Sequence, residues 1–244
     1  NDAAAGSDYT VRFDSLHPNQ VTSENNTLIL TGHVDDNGMA MEARLEIRTE
    51  GGKVNFKDGK ASIVGASAMT LVLTAATDYQ PKATEYRGND YTAFNKKTLS
   101  SVASKDYQSL LTEHVNDYQS LYQRVALTLD DGNDSTTADS YKNIPTDQRI
   151  LNYSKTPNDL GLEALFFQYG RYLLISSSRP GSLPANLQGK WNDSLVPAWA
   201  SDYHFNINAQ MIYWPAEVTN LAETHVPFLE YTQSLVEPGI ASAK

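Results

Sequence analysis

Cysteine is absent from all 244 residues. That excludes a disulfide framework, thiol catalysis and thiolate metal sites, and it suits a bacterial cytoplasm and a bacterial exterior equally. Positive charge is scarce as well: 19 Lys and Arg stand against 29 Asp and Glu, a net charge of −10 with a pI near 4.9. With no basic cluster to offset it, that balance repels phosphate backbones and excludes nucleic acid as a partner. Long apolar runs are missing too. The longest, Ala164 to Ile175, is broken by Gln168, Gly170 and Arg171, well short of the ~18 residues a membrane span needs. No initiating Met is present, and the opening Asn1 to Ser7 is small and polar. The N-terminus is therefore expected to come from processing or truncation, with any signal peptide already gone. This fits a secreted, periplasmic or cell-surface bacterial protein, and is compatible with a cytoplasmic one.

What remains is an ordinary globular composition, 40% hydrophobic and 20% charged, with core enough for one large domain or two modest ones. Fourteen Tyr and three Trp are generous for the size. Aromatic faces stack on sugar rings and equally fill cores, so only their clustering can tell the two uses apart.

The first third has the period of strands. Met39, Met41, Ala43, Leu45 and Ile47 alternate with Glu42, Arg44, Glu46 and Arg48, which predicts a half-buried antiparallel strand. Asp35-Asp36-Asn37-Gly38 is a turn before it, and Thr27 to His33 is its expected partner across the hairpin. Tyr9 to Phe13, Val54 to Phe56, Ala61 to Val64 and Met69 to Ala75 are further candidate strands, with Lys57-Asp58-Gly59-Lys60 as another turn. About six short strands make part of a β-sandwich.

From Ser101 the period changes. Tyr107, Leu110, Leu111, His114, Val115, Tyr118, Leu121, Tyr122 and Val125 recur at three- and four-residue steps, predicting an amphipathic helix. Val125 to Leu129 is a candidate short strand, and Asp130 to Ala138 a polar loop. Asn158 or Asp159 then caps a helix through Leu160 to Ile175, which is apolar on nearly every side and so is expected to be buried. Ser176 to Gly181 ends it.

Ser182 to Leu221 has a different texture. It holds Trp191, Trp199 and Trp214, many carboxamides, His204, Asp193, Asp202 and Glu217. Such a loop is costly to bury unless every polar group finds a partner. It suits a ligand with many hydroxyls and an apolar ring face, and a well-satisfied inter-helix loop would have the same composition. In His204-Phe205-Asn206-Ile207-Asn208, residues two apart share a face only if the backbone is extended. His204, Asn206 and Asn208 would then converge; the alternative is a buried strand with its polar residues in solvent. One His and two amides suit no common metal site.

Ser178-Arg179-Pro180-Gly181-Ser182-Leu183-Pro184-Ala185-Asn186-Leu187-Gln188-Gly189, Trp191-Asn192-Asp193, Ser201-Asp202-Tyr203-His204-Phe205-Asn206-Ile207-Asn208 and Tyr213-Trp214-Pro215-Ala216-Glu217 closely resemble glycoside hydrolase family 95, which contains 1,2-α-L-fucosidases and some α-L-galactosidases. The resemblance implies an α+β multidomain protein: a partial antiparallel β-sandwich (residues 1–78), a helical linker with a short strand (79–155) and the first helices of an (α/α)6 catalytic barrel (156–244). It implies an inverting exo-glycoside hydrolase with no cofactor and no metal, acting on glycans with terminal α-L-fucose or α-L-galactose. Asn206 and Asn208 match the asparagines that hold the attacking water, and His204 matches the histidine of the sugar pocket. Trp191, Gln188 and Trp199 are further candidates for substrate binding. A neutral carboxamide is too weak a base to act by itself; the family polarises it with a downstream aspartate and uses a downstream glutamate as acid. Neither is found here, and some twelve helices of about 11–12 residues would need more chain than follows Pro157. The chain is therefore expected to be a fragment, inactive alone. A carbohydrate-binding or interaction module without catalysis is the alternative, and a self-associating truncation the third possibility.

Overall fold

A computed structural model describes residues 6–81, 85–129, 141 and 143–244. The expected loop Asp130 to Ala138 and the first five residues lie outside them. The chain divides into two compact units, one running to Thr112 and taking in Glu237–Lys244, the other Glu113–Val236.

The first unit is built on one five-stranded antiparallel sheet, in the order β1-β5-β4-β3-β2. Its strands are β1 Ser7–Arg12, β2 Asn19–Glu24, β3 Thr27–His33, β4 Ala40–Lys57 and β5 Lys60–Thr77. The expected hairpin is present: β3 pairs with β4 from Thr27↔Glu46 to His33↔Ala40. Val54 to Phe56 is not a separate strand, because β4 continues through it. Likewise Ala61 to Val64 and Met69 to Ala75 are both parts of β5. A bulge after Glu50 bends this long ribbon. Gly51 and Gly52 take left-handed φ of 68° and 71° there, and a Cβ on Gly52 would lie 2.7 Å from the Val64 carbonyl oxygen, so only glycine fits. The inward parity shifts across it, from Leu45 and Ile47 to Val54 and Phe56. Both ends of the ribbon thereby face one core with Val11, Leu28, Ala61 and Ile63.

The charged face of β4 is not a solvent face. Helix α1, Tyr91–Val102, covers it, with Asp90 as its N-cap accepting from the Ala93 amide. Glu42 and Arg44 are buried as a bidentate pair at 2.8 and 3.0 Å. Fully buried Asn95 donates to both the carbonyl and the carboxylate of Glu42 and accepts from Thr74 Oγ1. Arg48 reaches the α1 C-terminus, donating to the Val102 and Lys105 carbonyls.

The remaining helices are α2 Tyr107–Tyr122, α3 Thr146–Tyr153, α4 Leu160–Ser177, α5 Asn208–Val218, α6 Val226–Ser234 and α7 Val236–Ser242. The expected strand Val125 to Leu129 is irregular instead; the Val125 carbonyl is taken by side chains of α4, Gln168 at 2.8 Å and Arg171 at 3.4 Å. Helix α4 is buried on one side only. Arg171, Leu174, Ile175 and Ser177 are enclosed, while Phe166 is 76% exposed and Tyr169 51%. The second core gathers Leu121, Leu174, Ile175, Ala185, Tyr213, Ala216 and Leu221. Pro215 sits inside α5, which runs through it unbroken to Val218. No described helix is long and apolar enough to cross a membrane.

Candidate functional site

The Ser182 to Leu221 segment lies in the second unit, pinned by a chain of buried hydrogen bonds. The Ala185 amide donates to Tyr213 Oη at 2.8 Å, and Tyr213 Oη lies 2.7 Å from Ser178 Oγ, which donates to the Thr224 carbonyl at 2.7 Å. Each hydroxyl has one proton, so Tyr213 must be the donor to Ser178. Burial pushes the Tyr213 phenol above its ordinary value, with the bonds to Ser178 and Ala185 pulling the other way. Four segments are fixed by this relay: the exit of α4, the loop after it, α5, and the turn at Ala222–Thr224.

Beyond Ala185 the chain makes a tight turn in which the amide and carbonyl of Asn186 bond those of Gly189. Gly189 takes φ 71°, and a Cβ there would come within 2.6 Å of the Trp191 ring. The missing side chain lets the indole lie over the turn. Gln188 and Trp191 line a groove of about 450 Å³ between α4 and α5, floored by Leu173, Leu174, Ile212 and Pro215.

His204 and Trp199 form a second cluster. Trp199, Ala200 and Ser201 take consecutive left-handed φ of 54°, 53° and 50°, a conformation that costs L-residues roughly 1–2 kcal/mol each. The turn presents Trp199, 73% exposed, with its ring centroid 5.2 Å from that of His204. His204 Nδ1 faces Asp202 at 3.3 Å. The two clusters are tied together by the Leu187 amide donating to the Asp202 carbonyl at 3.1 Å and Ser201 Oγ donating to Asn186 Oδ1 at 3.1 Å.

The backbone of the asparagine motif departs from expectation. Residues 205–207 form a turn, Asn206 sits at φ 62°, and α5 already begins at Asn208. An extended face shared by alternate residues is therefore absent. The turn is closed by the Ala209 amide donating to the His204 carbonyl at 2.9 Å. Asn206 and Asn208 flank the start of α5, both exposed, and their carboxamides have no hydrogen-bond partner among the described residues. Phe205 anchors the turn, stacking on Phe228 and Tyr231 of α6 at 5.8 and 6.3 Å.

Two of the segment's acids face a histidine: Asp202 lies 3.3 Å from His204 Nδ1, and Glu217 lies 3.0 Å from His225 Nδ1. No group of three or more His, Asp or Glu suited to a metal occurs among the described residues. Sequence reasoning missed the Tyr213 relay and the α6 aromatics. The only sign of them is the recurrence of Phe228 and Tyr231 at a three-residue step.

Two family models match this chain. The description "Glycosyl hydrolase family 65, N-terminal domain" covers residues 1–82, the region of the sheet. "Glycosyl hydrolase family 95 catalytic domain" covers residues 106–244, more than half of the chain and the whole of the candidate site. The chain belongs to glycosyl hydrolase family 95. An N-terminal domain followed by this catalytic domain agrees with the architecture expected from sequence, a partial sandwich followed by helices. Among relatives of this family 95 chain, "Probable alpha-fucosidase A" of Aspergillus niger is 38% identical over 208 residues, covering 80% of the chain and 25% of the relative. The protein of the same name from Aspergillus oryzae is 40% identical over 190 residues, 75% of the chain and 26% of the relative. "Alpha-L-fucosidase 2" of Arabidopsis thaliana is 36% identical over 214 residues, 86% of the chain and 25% of the relative. The family 95 chain thus spans about a quarter of the length of these curated relatives.

Proposed function

We propose that this chain carries the water- and sugar-holding part of a glycoside hydrolase that removes terminal α-L-fucosyl, or α-L-galactosyl, residues from glycans with inversion. Asn206 and Asn208 hold the attacking water. His204, Trp199, Trp191 and Gln188 hold the sugar, the indoles offering ring faces and the carboxamide and imidazole meeting hydroxyls. The observation that carries this reading is two exposed carboxamides, two and four residues after His204, without a hydrogen-bond partner among the described residues, inside the segment matched by the catalytic-domain family. The names of the fucosidase relatives support the substrate class. The reading includes a secreted or cell-surface location, where such glycans are met. The named relatives are fungal and plant proteins and lend no support to a bacterial source.

Inversion needs an acid on one side of the scissile bond and an activated water on the other. Asp202 and Glu217 each face a histidine, and this reading assigns the acid and the aspartate that polarises an asparagine to other parts of the enzyme. The chain at its present length is expected to release no fucose from a fucosyl-α-1,2-galactoside. A protein of the relatives' length carrying this segment is expected to release it, and to lose at least ~10²-fold in rate on Asn208→Asp or Asn206→Gly. Rates unchanged in both variants would overturn the assignment. Saturable sugar binding lost on Trp191→Ala, without hydrolysis at either length, would instead make this a carbohydrate-binding module.

A further inference from the structure

The two ring nitrogens of His204 stand in different surroundings. Nδ1 lies 3.3 Å from Asp202 Oδ1 and 3.4 Å from Oδ2. A carboxylate only accepts hydrogen bonds, so in the neutral ring the shared proton sits on Nδ1. Nε2 then carries a lone pair, and it has no hydrogen-bond partner among the described residues. Free histidine favours the opposite tautomer, with the proton on Nε2; the arrangement here is imposed by the neighbour. The imidazole is also flanked, by the Trp199 indole at 5.2 Å and tilted by 59°. Asp202 is itself held at both backbone ends: its amide donates to the Trp199 carbonyl at 3.2 Å and its carbonyl accepts from Leu187 at 3.1 Å. Its backbone is thus tied both to the left-handed turn and to the Asn186–Gly189 turn. The side chain of His204 remains 38% exposed, leaving Nε2 room for a ligand.

We propose that Asp202 is a positioning residue that sets the tautomer of His204 and makes Nε2 a hydrogen-bond acceptor for a sugar hydroxyl. Asp202 touches no substrate and acts through the imidazole, as carboxylate–histidine pairs do elsewhere. The assignment rests on the reading of His204 as a sugar-holding residue. The pairing gives this carboxylate, inside the site, a role in orienting the ring.

The test is a long-range proton–nitrogen NMR correlation on the ¹⁵N-histidine-labelled chain, at a pH where the rings are neutral, with His204→Gln used to assign the signals. His204 is expected to show the Nδ1–H signature in the native chain. In Asp202→Asn the carboxamide can donate to Nδ1, so the tautomer ratio should invert, and Asp202→Glu should restore it. A native His204 that is mainly Nε2–H, or a ratio unmoved by Asp202→Asn, overturns the proposal; the first of these needs no variant to fold. Calorimetric titration with L-fucose separates this from the functional reading. Affinity reduced about tenfold or more in Asp202→Asn and regained in Asp202→Glu supports both. A native chain with the Nδ1–H signature and no sugar binding sinks the sugar-holding role of His204 while the tautomer assignment stands.

Discussion

Arg171 shows how one side chain can organise three helices without taking part in chemistry. It is 1% exposed, with no carboxylate partner among the described residues. Its guanidinium donates to the Leu121, Tyr122 and Thr219 carbonyls at 2.9, 2.7 and 3.3 Å, and to Gln168 Oε1 at 2.8 Å. Leu121 and Tyr122 end α2, and Thr219 follows α5, so the cation meets the negative ends of two helix dipoles. Burial pulls its pKa below the usual arginine value, with the Tyr122 and Tyr118 side chains opposing. The planar fork serves several acceptors at once, which an ammonium cannot. Arg171→Leu is expected to cost about 3–5 kcal/mol, because it leaves buried carbonyls without donors, and Arg171→Lys roughly half that. Urea denaturation followed by tryptophan fluorescence checks this, since Trp191, Trp199 and Trp214 all lie in the same unit as Arg171. A Leu variant as stable as the native chain would refute the role. In the sequence Arg171 is legible only as an interruption of an apolar run. Nothing local announces that distant carbonyls converge on it.

At the scale of elements, α4 is held at its start by Asp159, which is 2% exposed. Its Oδ1 accepts from the Leu162 amide at 2.8 Å, while Arg149 of α3 grips both oxygens at 2.8 and 2.9 Å. Asp159→Ala is expected to cost about 2–3 kcal/mol, the cap and the bidentate pair together, and Asp159→Asn less, because its amide oxygen still caps. Denaturant midpoints of the two variants give the order, and Asn as damaging as Ala would mean that the charge pair, not the cap, dominates. This helix start was readable, as was the β3–β4 hairpin, because a cap and a strict alternation are local signals. Helix α1 was not: its fully buried residue is Asn95, satisfied by Glu42 and Thr74, so apolar periodicity does not mark it. The unity of β4 and β5 was hidden too, since Gly51-Gly52 in β4 and Gly65 in β5 read as breaks. For α4 the apolar surround predicted full burial, yet Leu165, Phe166, Tyr169 and Tyr172 remain exposed.

For the whole molecule, the family of the chain could be read from contiguous motifs, because those motifs keep their residue types whatever the backbone does. The geometry of the site could not. His204-x-Asn206-x-Asn208 looks like an alternating strand, but left-handed φ at Asn206 and at Trp199 to Ser201 is set by tertiary contacts that spacing does not encode. Ionisation links both units to pH in the same direction. In the first unit, burial works to raise the Glu42 carboxyl, but the bonds from Arg44 and Asn95 and the Arg44 charge outweigh it and hold it below its ordinary value near 4.5. In the second, the Arg149 bond, aided by the Leu162 amide, holds Asp159 below its ordinary 3.8 against the opposing effect of burial. A depressed carboxylate contributes stability that is complete above the unfolded value and is lost as pH falls through the folded one. Glu42→Gln keeps the shape but removes the charge beside Arg44. It is expected to cost about 2–3 kcal/mol near neutral pH. The gap between native and variant melting curves, followed by far-ultraviolet circular dichroism of the sheet, should stay constant from about pH 7 to about pH 5 and narrow below that, as native Glu42 takes up a proton. A gap that widens on acidification would mean that Glu42 is protonated more readily in the folded chain than in the unfolded one, against the charge of Arg44 and the bonds from Arg44 and Asn95.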